Sequence, residues 1–429
     1  MRYTKIITFL LLICITLSGC NTFDQSEKSK DHSEKKEKII TEEGFSVSGY
    51  KGNLESGRIA MQEYGKKYAA EVKETQNKSY SKLDLSDCKY GEFPETDTVS
   101  VFSEDIESDI SADEGVSLIK GCLKEMGYDN VDLKKELKDC SGQLGEKKQD
   151  EEWPTVMDQI SKCKSGNGFF VNTNQYAVQI LGGGIYSMSD GSITRFLQKK
   201  SKASMDALGV YSDNIVTGGA VQTLEDQSYK LFDRDTTVKD AAKMVQEYFN
   251  EKMSDHNVTT DIPQVEVFSL KDKYGYDFFV RRNYKGVNFA FADYGGRNVY
   301  GDYEIVEDMK HAYVVNHKTV SAYAGQNQDM KLNVLMEDRK IIGLNGILQI
   351  LNKKMAQHLR IKIDTVEFVY CPIHFNIGKN KKESIIFPFW QLDGININNE
   401  QSMRIYADAL TGEIYLYTYY IYNLKTGEI

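Results

Sequence analysis

Three times along this chain, an amphipathic helix pattern precedes segments rich in β-branched and aromatic residues. The helices begin near Ser111, Thr237 and Asn345, and each has apolar residues at the three- and four-residue spacing of one buried face. A helix with a single apolar stripe has to cover an apolar surface, and a small antiparallel sheet needs such a cover to be stable in water. The predicted fold class is therefore α+β, with helices packed across antiparallel sheets.

Two of the three helices carry capping signals at their N-termini. Ser111 is followed by Glu114 at the spacing of a capping box, and Asp240 lies in the first turn after Thr237. The third helix opens on Asn345-Gly346 and lacks a Ser or Thr cap. The residues predicted to face inward are Val116, Ile119, Leu123 and Met126 in the first helix, Ala241, Met244, Val245, Tyr248 and Phe249 in the second, and Ile347, Leu348, Leu351, Met355 and Leu359 in the third.

Strands are predicted after the second and third helices, where residues with high β-propensity dominate. After the second helix they cover 265–270, 276–284 and 287–293. After the third helix they cover 361–370, 385–392, 403–409 and 413–422. The links between neighbouring strands are predicted at Lys285-Gly286, Asp393-Gly394 and Thr411-Gly412.

The last unit resembles PepSY-type domains, in which one helix lies over a small antiparallel sheet. The resemblance rests on Pro388-Phe389-Trp390 and on the run Asp408-Ala409-Leu410-Thr411-Gly412-Glu413. The hairpin Tyr284-Lys285-Gly286-Val287 looks like a related unit in the preceding repeat. The resemblance does not extend to the N-terminal half, which is predicted to be α+β with an uncertain topology.

The first twenty residues have the layout of a cleaved secretory signal. Arg2 and Lys5 precede an uncharged run that leads to Leu17-Ser18-Gly19-Cys20, and the run is shorter than the about 20 apolar residues that a membrane-spanning helix needs. The last four residues resemble the lipobox of bacterial lipoproteins, which implies cleavage before Cys20 and diacylation of its thiol. The resemblance places the protein on the extracytoplasmic face of the cell membrane, and the layout is similar to surface lipoproteins of low-GC Gram-positive bacteria.

The composition changes along the chain predict five segments. They are the signal peptide at 1–19, the lipidated cysteine and a flexible polar tether at 20–43, an N-terminal α+β region at 44–225, a weakly PepSY-like helix-sheet unit at 226–340 and a C-terminal PepSY-like unit at 341–429. With 63 acidic against 53 basic residues and no basic cluster, the chain is not expected to bind nucleic acid.

The cysteines do not form a complete disulfide framework. Beyond Cys14 and Cys20 an odd number remains, namely Cys88, Cys122, Cys140, Cys163 and Cys371. One bridge among the middle three is an alternative, but burial as small apolar thiols is favoured.

No catalytic, metal or cofactor site is predicted. The chain has no HExxH or G-x-S-x-G motif, and the glycine run 182–184 lacks a phosphate-loop ending, so it is predicted to be a turn between strands at 176–180 and 185–188. His311 and His317 would lie about 20 Å apart on one strand and could not share an ion. Cys371 and His374 would lie on opposite faces of a continuous strand.

Two aromatic features are candidate partner contacts. Tyr415, Tyr417 and Tyr419 would share one face of the final strand, although burial of these rings explains the pattern as well. Trp153 lies in a polar loop, where it could bind a partner or pin a linker. Trp390, in contrast, is predicted to lie in the core of the last unit.

The sequence therefore predicts a membrane-anchored, non-catalytic binding or regulatory module for a cell-envelope protein or peptide. The PepSY-type resemblance implies that such a module restrains or scaffolds its partner, which is an analogy from fold. A solute-binding lipoprotein of a transporter and an extracellular hydrolase with a dispersed site are the alternatives.

Overall fold

The structure is a computed structural model, and it divides into two compact units. Among the described residues, unit 1 contains those within Ser103–Asn333 and Ile373–Ile385, and unit 2 contains those up to Phe102, those within Val334–Pro372 and those from Ile386 onward. The residues that the structure describes are 40–41, 44–45, 58–104, 112–125, 137–140, 159–163, 168–172, 177–181, 185–189, 215–253, 255, 257–270, 272–291, 298–300, 303–308, 310–326, 332–337, 339–355, 357, 359–378 and 381–418. The five segments predicted above remain predictions.

Helices and strands together confirm the α+β class, with strands in the majority. The described helices are α1 Met61–Gln76, α2 Ala112–Glu125, α3 Val221–Leu224, α4 Val238–Asn250 and α5 Leu344–Lys354. The described strands are β1 Ile40–Thr41, β2 Gly44–Phe45, β3 Arg58–Ile59, β4 Leu83–Asp84, β5 Lys89–Tyr90, β6 Val101–Glu104, β7 Leu137–Cys140, β8 Gln159–Cys163, β9 Gly168–Asn172, β10 Ala177–Leu181, β11 Ile185–Ser189, β12 Ile215–Ala220, β13 Ser228–Lys230, β14 Asp235–Thr237, β15 Val258–Leu270, β16 Lys273–Tyr284, β17 Val287–Asn288, β18 Asn298–Tyr300, β19 Tyr303–Ile305, β20 Lys310–Val314, β21 Ala322–Gln326, β22 Leu332–Met336, β23 Ile341–Ile342, β24 Ile361–Gly378, β25 Lys381–Asn396, β26 Gln401–Asp408 and β27 Ile414–Thr418.

Unit 1 is organised around one large sheet, in which the strand order is β12-β15-β16-β20-β21-β11-β10-β9-β8-β7. Neighbouring strands are antiparallel except for β7 and β8, which are parallel. The order contains two four-stranded meanders, β8-β9-β10-β11 and β15-β16-β20-β21, and a helix precedes each of them in the chain. The last strands of the two meanders, β11 and β21, pair with each other and join the sheet.

One apolar core lies under the helices of unit 1. α2 packs on β9 and β10, and α4 packs on β15 and β16. Both helices bury side chains in the same continuous cluster, so they cover the same face of the sheet. The side chains buried in this cluster include Ile119 and Leu123 of α2, Val238, Ala241, Val245 and Phe249 of α4, and Val265, Val267, Tyr276, Phe278 and Val280 of the sheet.

Local signals in unit 1 act as the sequence predicts. The backbone N–H of Asp240 donates to Thr237 Oγ1 at 3.0 Å, which confirms the cap of α4. Lys285 and Gly286 both have positive φ, as a two-residue hairpin between β16 and β17 requires. The hairpin on either side of the glycine run is also confirmed, because Leu181 and Ile185 are register partners in β10 and β11.

A third meander, β24-β25-β26-β27, lies in unit 2 from the start of β24 to Pro372 and from Ile386 of β25 onward. There β4 and β5 run parallel to β24 at its other edge. Trp390 is fully buried there, which confirms its predicted place in the core. Its indole N–H donates to the backbone oxygen of Ile342 at 2.9 Å. Four aromatic rings surround it, those of Tyr64, Tyr68, Phe93 and Phe368.

The run from Asp408 to Glu413 is a turn built on one buried carboxylate. Asp408 accepts hydrogen bonds from the backbone N–H and the hydroxyl of Thr411 and from the N–H of Leu410. Burial raises the pKa of this carboxyl, while these bonds act to lower it. Gly412 has φ +73°, so the turn needs a residue that tolerates the left-handed region.

The predicted turn at Asp393-Gly394 is wrong. β25 continues through both residues to Asn396, and the chain turns at 397–400 instead. A Cβ at position 394 would lie 2.1 Å from the backbone oxygen of Lys362, so glycine at this position permits the close approach of β24. The strand predicted at 287–293 also differs, because the ladder with β16 ends at Asn288.

α5 begins at Leu344, one residue before the predicted opening at Asn345, and follows an N-cap glycine that has no side chain to accept a bond. Side chains of α1 supply the acceptors. The N–H of Leu344 donates to the Tyr64 hydroxyl at 2.8 Å, and the N–H of Asn345 donates to Glu71 Oε1 at 2.6 Å. A Cβ on Gly343 would lie 2.7 Å from the Tyr64 ring, so only glycine leaves room for this cap.

We expect Glu71→Ala to loosen the first turn of α5. Loss of an N-terminal acceptor costs about 1 kcal/mol, which corresponds to about fivefold faster amide hydrogen exchange at Asn345. The matched control is Glu74→Ala on the same helix, which removes only an exposed pair with Lys78. Equal exchange rates at Asn345 in the two variants would contradict the cap.

Candidate functional site

A buried arginine joins two carboxylates inside unit 1. Arg282 follows Tyr276, Phe278 and Val280 at alternate positions of β16, so it lies on the helix-covered face. Its Nε and Nη2 donate to the carboxylate of Asp308 at 2.7–3.2 Å, and its Nη1 donates to Glu104. All three side chains are 1–2% exposed.

The charges of this triad stabilise each other against the cost of burial. Burial raises the pKa of Glu104, while Arg282 acts to lower it. For the guanidinium the balance is opposite: burial alone would lower the pKa of Arg282, but Asp308 and Glu104 raise it. Phe289 covers the guanidinium, with its ring centroid 4.2 Å from Cζ. The arginine is thus enclosed by its own partners, and the triad is a structural element of unit 1.

The opposite face of the same sheet contains a histidine–aspartate pair. Asp277 alternates with the core residues of β16, and its register partner in β20 is Tyr313, two residues from His311. The Nδ1 atom of His311 lies 3.1–3.2 Å from the two carboxylate oxygens of Asp277. The imidazole lies 4.7 Å from the Phe279 ring and stacks on Tyr313. Burial raises the pKa of Asp277, whereas the charge and hydrogen bond of His311 lower it. The carboxylate therefore fixes the orientation of a ring that is only 17% exposed.

The Asp277–His311 pair contains the carboxylate-oriented imidazole that catalytic and metal sites also use. A carboxylate-oriented imidazole becomes catalytic when a nucleophile or a metal meets its other nitrogen. In the described part of the chain, no three His, Cys, Asp or Glu side chains are placed to hold a metal ion. The contact at His317 is of the same isolated kind, because its ring bonds Asp233 in an exposed loop. These pairs link strands and loops.

Sequence reasoning missed both buried charge groups because their members are distant in sequence. Asp277 and His311 are 34 positions apart, and Glu104 and Arg282 are 178 apart, so only the strand register brings them together. The available signal was the charge within the aromatic run of β16, where Asp277, Arg281 and Arg282 interrupt apolar residues.

The candidate partner contacts from the sequence lie in different environments. Tyr415 is 3% exposed and packs edge-on against Phe389, while Tyr417 is the register partner of Arg404 in β26. Trp153 and Tyr419, like the lipidation residue Cys20, lie outside the described residues.

The cysteines of the described segments are mostly buried thiols, as favoured from the sequence. Cys88, Cys122 and Cys371 belong to this class, and burial raises the pKa of the Cys88 thiol to about 11. Cys140 and Cys163 are register partners in β7 and β8.

Two strand edges remain as candidate interaction sites. β12 is the first strand of the sheet in unit 1, and its described ladder is with β15. β27 is the last strand of the meander in unit 2, and its described ladder is with β26. Neither strand contains a charged residue, although natural edge strands commonly carry charges that prevent pairing with other chains.

No protein family, curated protein or solved structure matches this chain. Within the described ranges, no helix combines the length and the apolar composition that crossing a membrane requires. The functional argument therefore depends on the chemistry of the described residues.

We expect Arg282→Met to destabilise unit 1 strongly. Removing the guanidinium leaves Glu104 and Asp308 buried without a cation, at a cost of about 3–5 kcal/mol. Urea unfolding followed by amide exchange in β16 measures this loss. The control is Arg281→Met on the opposite face, whose partner Asp261 is partly exposed, and it should cost clearly less than Arg282→Met because no carboxylate is left fully buried without a cation.

The pH dependence of the Arg282→Met variant provides a second check. Without the arginine, burial raises the folded-state pKa of Glu104 above its unfolded value with no cation to oppose it. A group with a raised folded-state pKa loses its stabilising contribution as the pH rises through that value. The variant should therefore regain stability on acidification from neutral pH towards pH about 5, and a flat profile would contradict the argument.

Proposed function

We propose that this protein is a membrane-anchored, extracytoplasmic lipoprotein that binds a cell-envelope protein and does not catalyse a reaction. Its body is a set of PepSY-like helix-and-meander units. The anchor is the diacylated Cys20 at the end of the lipobox-like run. The partner supplies an extended segment that adds to a strand edge of the lipoprotein.

The observation that carries the proposal is the exposed, uncharged edge at β12. Val216 is 52% exposed and Ile215 is 38% exposed, which is unusual for apolar strand residues. The ladder with β15 shifts register between Ile215 and Thr217, which places a β-bulge at Val216. The edge of β12 that does not pair with β15 faces away from the sheet. An extended peptide can use the outward N–H and C=O groups of such an edge, while the apolar side chains contact its alternate residues.

The ionisable groups support a binding role over a catalytic one. The charged clusters described above bond their own neighbours, which gives each of them a structural role in unit 1. The edge, in contrast, offers backbone groups and apolar side chains, which recognise polypeptide.

We expect Val216→Lys to weaken partner binding. A lysine on an edge strand opposes the approach of a second strand, and a loss of about 1.4 kcal/mol lowers affinity about tenfold. Photocrosslinking from position 220 in native membranes should yield a discrete protein adduct that decreases in the variant. Val334→Lys makes the same change at a similarly exposed strand residue of unit 2 and should leave the adduct intact. An unchanged adduct in Val216→Lys would exclude the β12 edge.

The anchor is tested separately. Cys20→Ala removes the thiol that two acyl chains would modify, and two chains are needed for firm attachment because one gives only marginal binding. The variant should move from the detergent phase to the aqueous phase of a membrane extract. Cys14→Ala, a change within the apolar run of the leader, should not move it. Retention of Cys20→Ala in the detergent phase would argue against the lipid anchor.

A further inference from the structure

We propose that the protein forms a homodimer in which β27 pairs antiparallel with β27 of a second copy. This inference concerns a different edge from the one that binds the envelope partner, and it goes beyond the proposed function. The argument starts from a feature that the three meanders share.

Each meander follows a helix and consists of four antiparallel strands in chain order. The sets are α2 with β8-β9-β10-β11, α4 with β15-β16-β20-β21, and α5 with β24-β25-β26-β27. The fourth strands of the three sets are therefore β11, β21 and β27.

The fourth strands of the first two sets pair with each other. β11 and β21 are both five residues long, and they align antiparallel over their full length, from Ile185 opposite Gln326 to Ser189 opposite Ala322. The resulting strand order runs from the first strand of one meander through both last strands to the first strand of the other. This is the arrangement that a two-fold axis produces when two copies of one meander meet at their last strands.

The third meander has no such counterpart within the described residues. β27 is also five residues long, and its described ladder is with β26 alone. Its sequence, Ile-Tyr-Leu-Tyr-Thr, contains no charge, proline or glycine and has high β-propensity. A strand of this composition at an edge is suited to pair with another strand. The last strands of the first two meanders already pair with each other. A fourth strand equivalent to β11 or β21 is therefore supplied to β27 by a second copy of the chain.

The backbone bonds of β27 determine the register of the dimer. The N–H of Asp408 donates to the oxygen of Glu413, so 408 and 413 form a hydrogen-bonded pair at the start of this hairpin. Hydrogen-bonded pairs alternate along an antiparallel ladder, so Tyr415 and Tyr417 bond towards β26. The N–H and C=O groups of Ile414, Leu416 and Thr418 then point to the side of β27 on which the described residues place no strand.

A symmetric pairing that uses the whole strand is centred on Leu416. Leu416 lies opposite Leu416 of the second copy, and Ile414 lies opposite Thr418 of the second copy. This register pairs outward-pointing residues with one another, as hydrogen-bonded pairs require. It also reproduces the full-length alignment of β11 with β21.

The test is a charge exchange at position 416 in the full-length protein in detergent micelles. Sedimentation velocity should show that the native protein has twice the monomer mass. Leu416→Lys alone and Leu416→Glu alone should each have the monomer mass, because like charges then lie directly opposite each other. An equimolar mixture of the two variants should regain the twofold mass, because opposite charges then face each other across the axis. That recovery also shows that the variants are folded.

The β12 edge provides the matched control. Val216→Lys should reduce partner crosslinking and leave the dimer intact, so failure of the dimer and failure of the proposed function are separate results. A native protein that remains monomeric over the concentration range overturns the proposal. Loss of the dimer in Val216→Lys, or no recovery in the mixture of folded position-416 variants, overturns it as well.

Discussion

Cover of one sheet face by amphipathic helices is the interaction on which this structure depends. An antiparallel meander of four strands exposes two faces, and it is stable only if one of them is buried. In unit 1, α2 and α4 bury that face for two joined meanders, so that their side chains form one cluster. In unit 2, α1 and α5 perform the same task above Trp390. Two meanders can therefore join into one larger sheet in unit 1 while one layer of helices still covers its core face.

The buried charges follow from this architecture. A strand that is covered on one face still alternates its side chains, so every second residue of β16 lies away from the helices. Asp277 is on that side and bonds His311, whereas Arg282 is on the helix side and requires two carboxylates. Each group is compensated by a partner from another segment, which makes these residues determinants of strand register.

Patterns that act over a few residues could be predicted from the sequence. The Thr237 cap, the Lys285-Gly286 hairpin and the burial of Trp390 depend on local chemistry, and the structure confirms them. The Asp393-Gly394 link was misread because glycine also serves where two backbones approach closely, and only the position of β24 distinguishes the two uses. The triad at Arg282 and the edges at β12 and β27 depend on strand order, which periodicity does not encode.

The cap of α5 has a consequence for the order in which the chain acquires structure. The amide of Asn345 and the carboxylate of Glu71 that receives its bond are 274 positions apart. During synthesis α1 is complete long before the helix that it caps exists, and the intervening loop must close at an entropic cost that grows with its length. The aromatic rings of the segment 58–102 therefore stay unburied until the C-terminal strands have been synthesised. Holdase chaperones that shield such surfaces would act on this segment during that interval.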